Sequence, residues 1–239
     1  MWPVFDDSNL KFQYDVDSPF CIVTAYTDSI SSWQKLGDFT SSTKESYCKK
    51  HGYGFRAYIK GFDSSRPASW SKLLFIKDTL RKYRWVFWMD ADTAITNQEV
   101  KIEQLVGNEE IVMGQHRDGM GGYALNMGVF LLKSGEYADW LLQFLWDSKH
   151  CIFHHWWEQK AFMEMEEKGL LGSHLKIVRV KELDLGNPGF NMTHDTWKPG
   201  DFILHIGGMG VCRRLEMFKE KLGMVRGLGG ACGDSGMAL

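Results

Sequence analysis

This chain has no apolar run close to the ~20 residues that a membrane-crossing helix needs. Proline is scarce, five in 239 residues, so few elements are interrupted from within. The five cysteines, Cys21, Cys48, Cys151, Cys212 and Cys232, make no CxxC pair and no zinc-spaced cluster, which excludes a zinc ribbon or a thioredoxin-like redox site. Their odd number points to a reducing compartment, and most are read as inert buried thiols. Charge of one sign is also missing. A net charge of −2 removes any bulk electrostatic case for binding nucleic acid or an anionic membrane. There is no internal repeat and no linker. The stretch Met1 to Ser18 is acidic and lacks an apolar core, so it is not a signal peptide. Read as a complete chain, the protein is expected in the cytoplasm; read as an excised catalytic domain that has lost an anchor, it is expected in the Golgi lumen. The Asn191-Met192-Thr193 sequon is a triplet that chance supplies often and carries little weight.

What is present is ordinary for one soluble α/β domain: 44% apolar and 24% charged residues, enough to bury a core without staples. Aromatics reach 14%, with ten Trp, and most are read as core. Phe20 to Tyr26 reads as a buried strand, followed by a helix over 29–50 capped by Gly52. Phe55 to Ile59 is a second strand, and 70–82 is a helix with basic residues near its end. Strands follow at 85–89, 111–113, 124–133, 177–180 and 202–206, with helices at 135–147 and 157–168 between them. This alternation predicts a single Rossmann-like domain with a mainly parallel central sheet flanked by helices. Residues 1–19 are taken as an N-terminal extension, 20–226 as the domain and 227–239 as a flexible glycine-rich tail. The polar, glycine-rich stretch 114–123 is expected to be a mobile loop over the site.

The sharpest chemical signal is Asp90-Ala91-Asp92, directly after the apolar run Trp85 to Met89. Ligands bind at the carboxyl ends of strands in open α/β sheets. Two carboxylates placed there repel each other unless a hard divalent cation, Mn²⁺ or Mg²⁺, sits between them with phosphate oxygens completing its shell. The plainer reading is a solvated loop pair, and the preceding hydrophobic strand weighs against it. His205, at the end of Phe202-Ile203-Leu204, could be a third ligand or a hydrogen-bonded strand-end histidine. Gly207 and Gly208 would let backbone N–H groups approach a phosphate. Lys72 could hold a phosphate or be an ordinary surface lysine. Glu158 and Gln159, at a helix start, could reach a sugar or simply favour the helix dipole.

Taken together, CIVTAYTD (21–28), HGY (51–53), WSK (70–72), FWMDADTAITN (87–97), LNMGVFLLK (125–133), WWEQKAF (156–162) and LHIGGMGVC (204–212) resemble the GT-A-fold glycosyltransferases of family 34. That family includes yeast galactosyl- and mannosyltransferases and plant xylosyltransferases, and small soluble glycosyltransferase domains of large algal viruses look similar. The resemblance runs over roughly 20–213. It implies sugar transfer from a nucleotide-sugar donor, UDP-sugar favoured, to a carbohydrate or other hydroxyl acceptor, with Mn²⁺ or Mg²⁺ and with retention of anomeric configuration. By position it assigns Asp90, Asp92 and His205 to the metal. It places Thr24 and Tyr26 at the nucleoside, Lys72 near the donor, and Asn126 and Gly128 along the donor sugar. Gln159 would stand beside the reacting carbon, with Glu158 next to it. The family often has Asp-Gln where Glu158-Gln159 stands and Thr-Gly where Met127-Gly128 stands, so sugar identity is not carried over. Two other readings remain open from the sequence: a phosphatase with a D-x-D-x-T signature, disfavoured because Ala94 occupies its third position, and a binding module of this fold without turnover.

Overall fold

The computed structural model describes residues 2–117, 123–178, 190, 192–193 and 195–224. Residues 118–122, Asn191 of the sequon, positions 179–180, Cys232 and the 227–239 tail lie outside them. A seven-stranded sheet runs β1(Leu10–Tyr14), β3(Gly54–Tyr58), β2(Phe20–Ala25), β4(Trp85–Met89), β7(Tyr123–Lys133), β6(Ile111–Arg117), β8(Leu175–Val178). Five strands point one way. β1 and β7 are reversed, each antiparallel to its neighbours. The sheet is therefore mainly parallel in direction, with a reversed strand beside the strand that delivers the acid pair. A second sheet orders β5(Thr93–Ile95), β10(Ile203–His205) and β9(Met192–Thr193).

The helices are α1(Ser31–His51), α2(Lys72–Thr79), α3(Glu136–Asp147), α4(Trp157–Glu167) and α5(Val211–Lys221). α1 ends at Gly52 with φ +71, a left-handed cap that glycine adopts without strain. The 70–82 helix is split: Ala68–Ser71 form a tight 3₁₀ turn and α2 follows from Lys72. α5 and β1 were not anticipated. β1 lies within the expected N-terminal extension and pairs with β3; its half-exposed alternation over five residues is a weak signal beside the fully buried strands.

Both faces of the large sheet are covered, which is why β4 is apolar at every position. Val86 and Trp88 pack with Leu73 and Ile76 of α2, Leu141 and Leu145 of α3 and Phe162 of α4. Trp85, Phe87 and Met89 pack on the other side with Tyr47 and Cys48 of α1 and with Phe202 and Ile203. Leu36, Ala94, Leu204, Ile206 and Phe218 close a smaller core between α1, α5 and the second sheet. Cys21, Cys48 and Cys151 are free and buried, as expected for most of the cysteines, while Cys212 is disulfide-bonded. Among the described residues, no helix is long and apolar enough to cross a membrane.

Candidate active site

β4 ends at Met89, and Asp90 N–H then donates to the Gly128 carbonyl at 2.7 Å. The chain turns immediately: Thr93 returns its N–H at 3.2 Å and its hydroxyl at 2.6 Å to the Asp90 carbonyl. β5 next pairs antiparallel with β10, placing Thr93 opposite His205, and Ile206 N–H donates to the Asp92 carbonyl at 2.9 Å. This short ladder brings a histidine from far along the chain to the acid pair. One ligand atom from each of Asp90, Asp92 and His205 lies within 4.8 Å of the others, and His205 Nε2 stands 3.4 Å from Asp92 Oδ1.

The donor set fits a divalent cation: two carboxylates and one imidazole on one cavity wall. Gly128 keeps the space between them clear. A Cβ there would lie 2.6 Å from His205 Cε1, 2.8 Å from Asn126 Oδ1 and 3.0 Å from Asp90 Oδ2. The two acids are electrostatically distinct. Burial raises the Asp90 carboxyl above its usual range and the Asp92 charge pushes the same way, with Lys72 opposing. Burial would also raise Asp92, but His205 and Arg214 overcome it and hold that carboxyl down to about 2. Arg214 Nη1 donates to Asp92 Oδ2 at 2.7 Å, and its Nε donates to the Met209 carbonyl at 2.7 Å.

Lys72 does not present a free charge to a phosphate. Its ammonium meets Glu158 Oε1 at 2.7 Å, Asp90 Oδ1 at 3.2 Å and the Met127 carbonyl at 3.2 Å, which uses all three of its donors. Burial lowers its proton affinity, but the two carboxylates more than reverse this. Lys72 is thus the bridge between the buried Glu158 and the partly exposed Asp90. Lys44 lies beneath the same turn, fully buried, with its ammonium 3.0 Å from the Asp90 carbonyl. Burial pulls its pKa down to about 7, although Asp92 and Asp90 pull it up. Beside it, Thr40 donates to the Ala91 carbonyl at 2.7 Å, and Thr43 accepts from Ile95 N–H at 3.1 Å. One face of α1 therefore fastens the acid segment.

These groups line a cavity of about 540 Å³, within the range of small-molecule sites. Tyr26, Ile30 and Trp33 line it, as do Asp90, Asp92, His205, Gly208 and Arg214, and so do Lys72, Trp88, Asn126, Gly128, Glu158 and Gln159. The Tyr26 hydroxyl donates to Asp38 at 2.7 Å. Its ring covers Gly37, where a Cβ would lie 2.2 Å from the ring. Asn126 Oδ1 accepts from Gly128 N–H at 2.7 Å and Gln159 Oε1 from Met127 N–H at 3.1 Å, so both amides brace β7 as well as face the cavity. Gly208 has φ +74 and turns the chain at the rim. Thr24 is buried under the strand end beside Lys44, whereas Gly207 adjoins the acid–histidine cluster, where a Cβ would lie 3.8 Å from His205 Nε2 and 3.9 Å from Asp92 Oδ2.

Trp33, Lys44 and Arg214 were missed. Lys44 was visible in the i, i+4 stripe Leu36, Thr40, Lys44, Cys48 on the buried face of α1. Arg214 was visible as a cation in the first turn of a helix, where the dipole disfavours it.

This architecture has solved counterparts. A glycosyltransferase involved in the glycosylation of the major capsid of PBCV-1 superposes with a TM-score of 0.66 at 17% identity, covering 87% of this chain and all of that one. The chain has the GT-A glycosyltransferase fold. The description of the galactosyl transferase GMA12/MNN10 family matches residues 21–118, so the resemblance read from the motifs holds. An uncharacterized α-1,2-galactosyltransferase of Schizosaccharomyces pombe is 23% identical over 224 residues, covering 76% of this chain and 58% of that protein. The probable α-1,6-mannosyltransferase MNN10 of Saccharomyces cerevisiae is 23% identical over 214 residues, covering 69% of this chain and 53% of that protein. This GT-A chain thus spans little more than half the length of these relatives.

Proposed function

We propose that this protein is a metal-dependent glycosyltransferase that moves a sugar from a nucleotide-sugar donor, UDP-sugar favoured, to a hydroxyl of a carbohydrate acceptor with retention of configuration. The observation that carries the reading is the convergence of Asp90, Asp92 and His205 on one cavity wall. The relatives named as galactosyl- and mannosyltransferases support the same chemistry.

Asp90, Asp92 and His205 would hold Mn²⁺ or Mg²⁺, which when bound neutralises the donor's diphosphate and its developing charge. Arg214 adds a positive edge beside Asp92, fixed by its second bond to the Met209 carbonyl. Such preorganised charge costs no rearrangement during departure of the nucleoside diphosphate. Tyr26 and Trp33 supply flat apolar faces for the base. On the other side, Lys72 holds Glu158 so that one carboxylate oxygen is tied and Oε2 is left without a partner in the described structure. That oxygen can accept a sugar hydroxyl, or act as a nucleophile in a double displacement.

The test is an activity screen with UDP-galactose, UDP-glucose, UDP-xylose and GDP-mannose, with and without Mn²⁺. Nucleotide release that needs Mn²⁺ and is lost in Asp92→Asn is expected, with an α-linked product by NMR. Release of phosphate from simple phosphate esters with none from the donors would replace the reading with a phosphatase. Near-normal turnover of Glu158→Gln would remove the nucleophile role.

A further inference from the structure

Two groups of three metal-ligating side chains occur among the described residues, each with its ligand atoms within 4.8 Å of one another. One is Asp90, Asp92 and His205. The other is His150, Cys151 and Glu164, and none of these three lines the cavity.

His150 and Cys151 belong to the short 3₁₀ turn Lys149–Cys151, which Cys151 N–H closes on the Ser148 carbonyl at 3.0 Å. Glu164 reaches them from the second half of α4. His150 Nε2 lies 2.8 Å from Glu164 Oε2, and Cys151 Sγ lies 3.8 Å from Glu164 Oε1. Tetrahedral zinc, with bonds of about 2.0–2.3 Å, sets neighbouring ligand atoms about 3.3–3.7 Å apart. The Sγ–Oε1 edge is already close to that length. The histidine edge must open by about half an ångström, and the His150 side chain has the room, being 64% exposed. Cys151 is the buried floor of the group.

The donor chemistry selects the ion. One sulfur, one imidazole nitrogen and one carboxylate oxygen suit Zn²⁺, whereas Mg²⁺ and Mn²⁺ favour oxygen shells. A thiolate and a carboxylate together also balance two positive charges. One group opposes the ion: the Lys160 ammonium stands 3.5 Å from Glu164 Oε1 and must turn away to free that oxygen.

We infer that His150, Cys151 and Glu164 form a second metal site, selective for Zn²⁺ and completed by water, which clamps the 149–151 turn to α4. On binding, the Cys151 S–H bond breaks, its proton passes to solvent and a Zn–S bond forms, with no change of oxidation state. The clamp holds the segment that leads to Glu158. His154 N–H donates to the Cys151 carbonyl at 3.1 Å, and Trp157 N–H donates to the His154 carbonyl at 2.8 Å, at the first residue of α4. The inference is independent of the donor reading above.

The experiment titrates the full chain, stripped with EDTA and desalted, first with Co²⁺ and then with Zn²⁺, and follows the near-ultraviolet spectrum. A sulfur-to-cobalt charge-transfer band is expected, and Zn²⁺ should bleach it. Asp90, Asp92 and His205 offer no sulfur and cannot give that band. Cys151→Ser should abolish it. His150→Ala, at an exposed position where folding is not at risk, should weaken Co²⁺ binding at this band by at least about tenfold. Zn²⁺ should slow amide hydrogen exchange over 149–157 in the native chain and not in His150→Ala. The inference is overturned if no band forms, if the band survives Cys151→Ser, if His150→Ala keeps the native affinity, or if Zn²⁺ leaves exchange over 149–157 unchanged. What remains in any of those cases is a surface ion pair beside a buried thiol.

Discussion

Gly128→Ala places a methyl group in the centre of the candidate metal site, and the geometry sets what must follow. The new Cβ would stand 2.6 Å from His205 Cε1, about 1 Å inside the ordinary carbon–carbon contact distance. It would also stand 2.8 Å from Asn126 Oδ1, which cannot withdraw without releasing its bond to Gly128 N–H, and 3.0 Å from Asp90 Oδ2. The His205 imidazole must then retreat by most of that ångström, away from its position 3.4 Å from Asp92 Oδ1. Metal ligands tolerate about 0.2 Å of misplacement, so the imidazole would be lost to the ion. Mn²⁺ affinity should fall by roughly 10- to 100-fold, while overpacking costs ~1–3 kcal/mol of stability and lowers the metal-free melting temperature by several degrees. Electron paramagnetic resonance of free Mn²⁺ during titration with UDP present measures the first, and calorimetric melting in EDTA the second. Native Mn²⁺ affinity in Gly128→Ala would refute the assignment of Gly128 as the residue that keeps this cradle open.

Gly37→Ala reverses the usual sign of its class. A mid-helix glycine normally gains about 1 kcal/mol on becoming alanine, but here the Cβ would meet the Tyr26 ring at 2.2 Å; a lower melting temperature and weaker UDP binding are expected, and a higher melting temperature would contradict the packing described. Lys72→Met should be strongly destabilising, by ~3–5 kcal/mol, because it leaves Glu158 buried without its cation and Asp90 without its ion pair; Lys72→Met melting like the native chain would contradict the bridge. The buried Lys44 titrates near 7 when folded and near 10.5 when unfolded. Between those values the unfolded chain carries the extra proton, so stability from this group rises with pH across that window, at up to about 1.4 kcal/mol per unit. Urea titrations of the metal-free protein from pH 7 to 9.5 should show that rise, and Lys44→Met should flatten it.

The strands that the chain buries on both faces could be read directly. Trp85 to Met89 is a strand with the bounds its apolar run suggested, and the acid pair stands at its end because nothing after Met89 can be buried without a partner. His205 was legible as a candidate, but its meeting with Asp92 depends on the β5–β10 ladder, a long-range pairing of three-residue strands with no local signature. Lys72 shows the limit of assigning a charge by position: the residue is at the site, yet its three donors face inward to Asp90, Glu158 and Met127. Thr24 was assigned from the strand end, but the Lys44 ammonium beneath it turns that position into part of the floor. Arg214 and Trp33 belong to helices whose packing against each other, with Arg214 stacked 5.4 Å from the Trp33 ring, no periodicity reveals.

On the proposed function, Asp90, Asp92 and His205 make a metal-assisted nucleotide site. Isothermal titration of the native chain with UDP, in Mn²⁺ and in EDTA, alongside Asp92→Asn in Mn²⁺, tests it most directly. Tight binding is expected in Mn²⁺, with a loss of at least about tenfold in EDTA and a similar loss in the variant with its fold intact. UDP binding that is equally strong without metal and in Asp92→Asn, or absent under all three conditions, would contradict it.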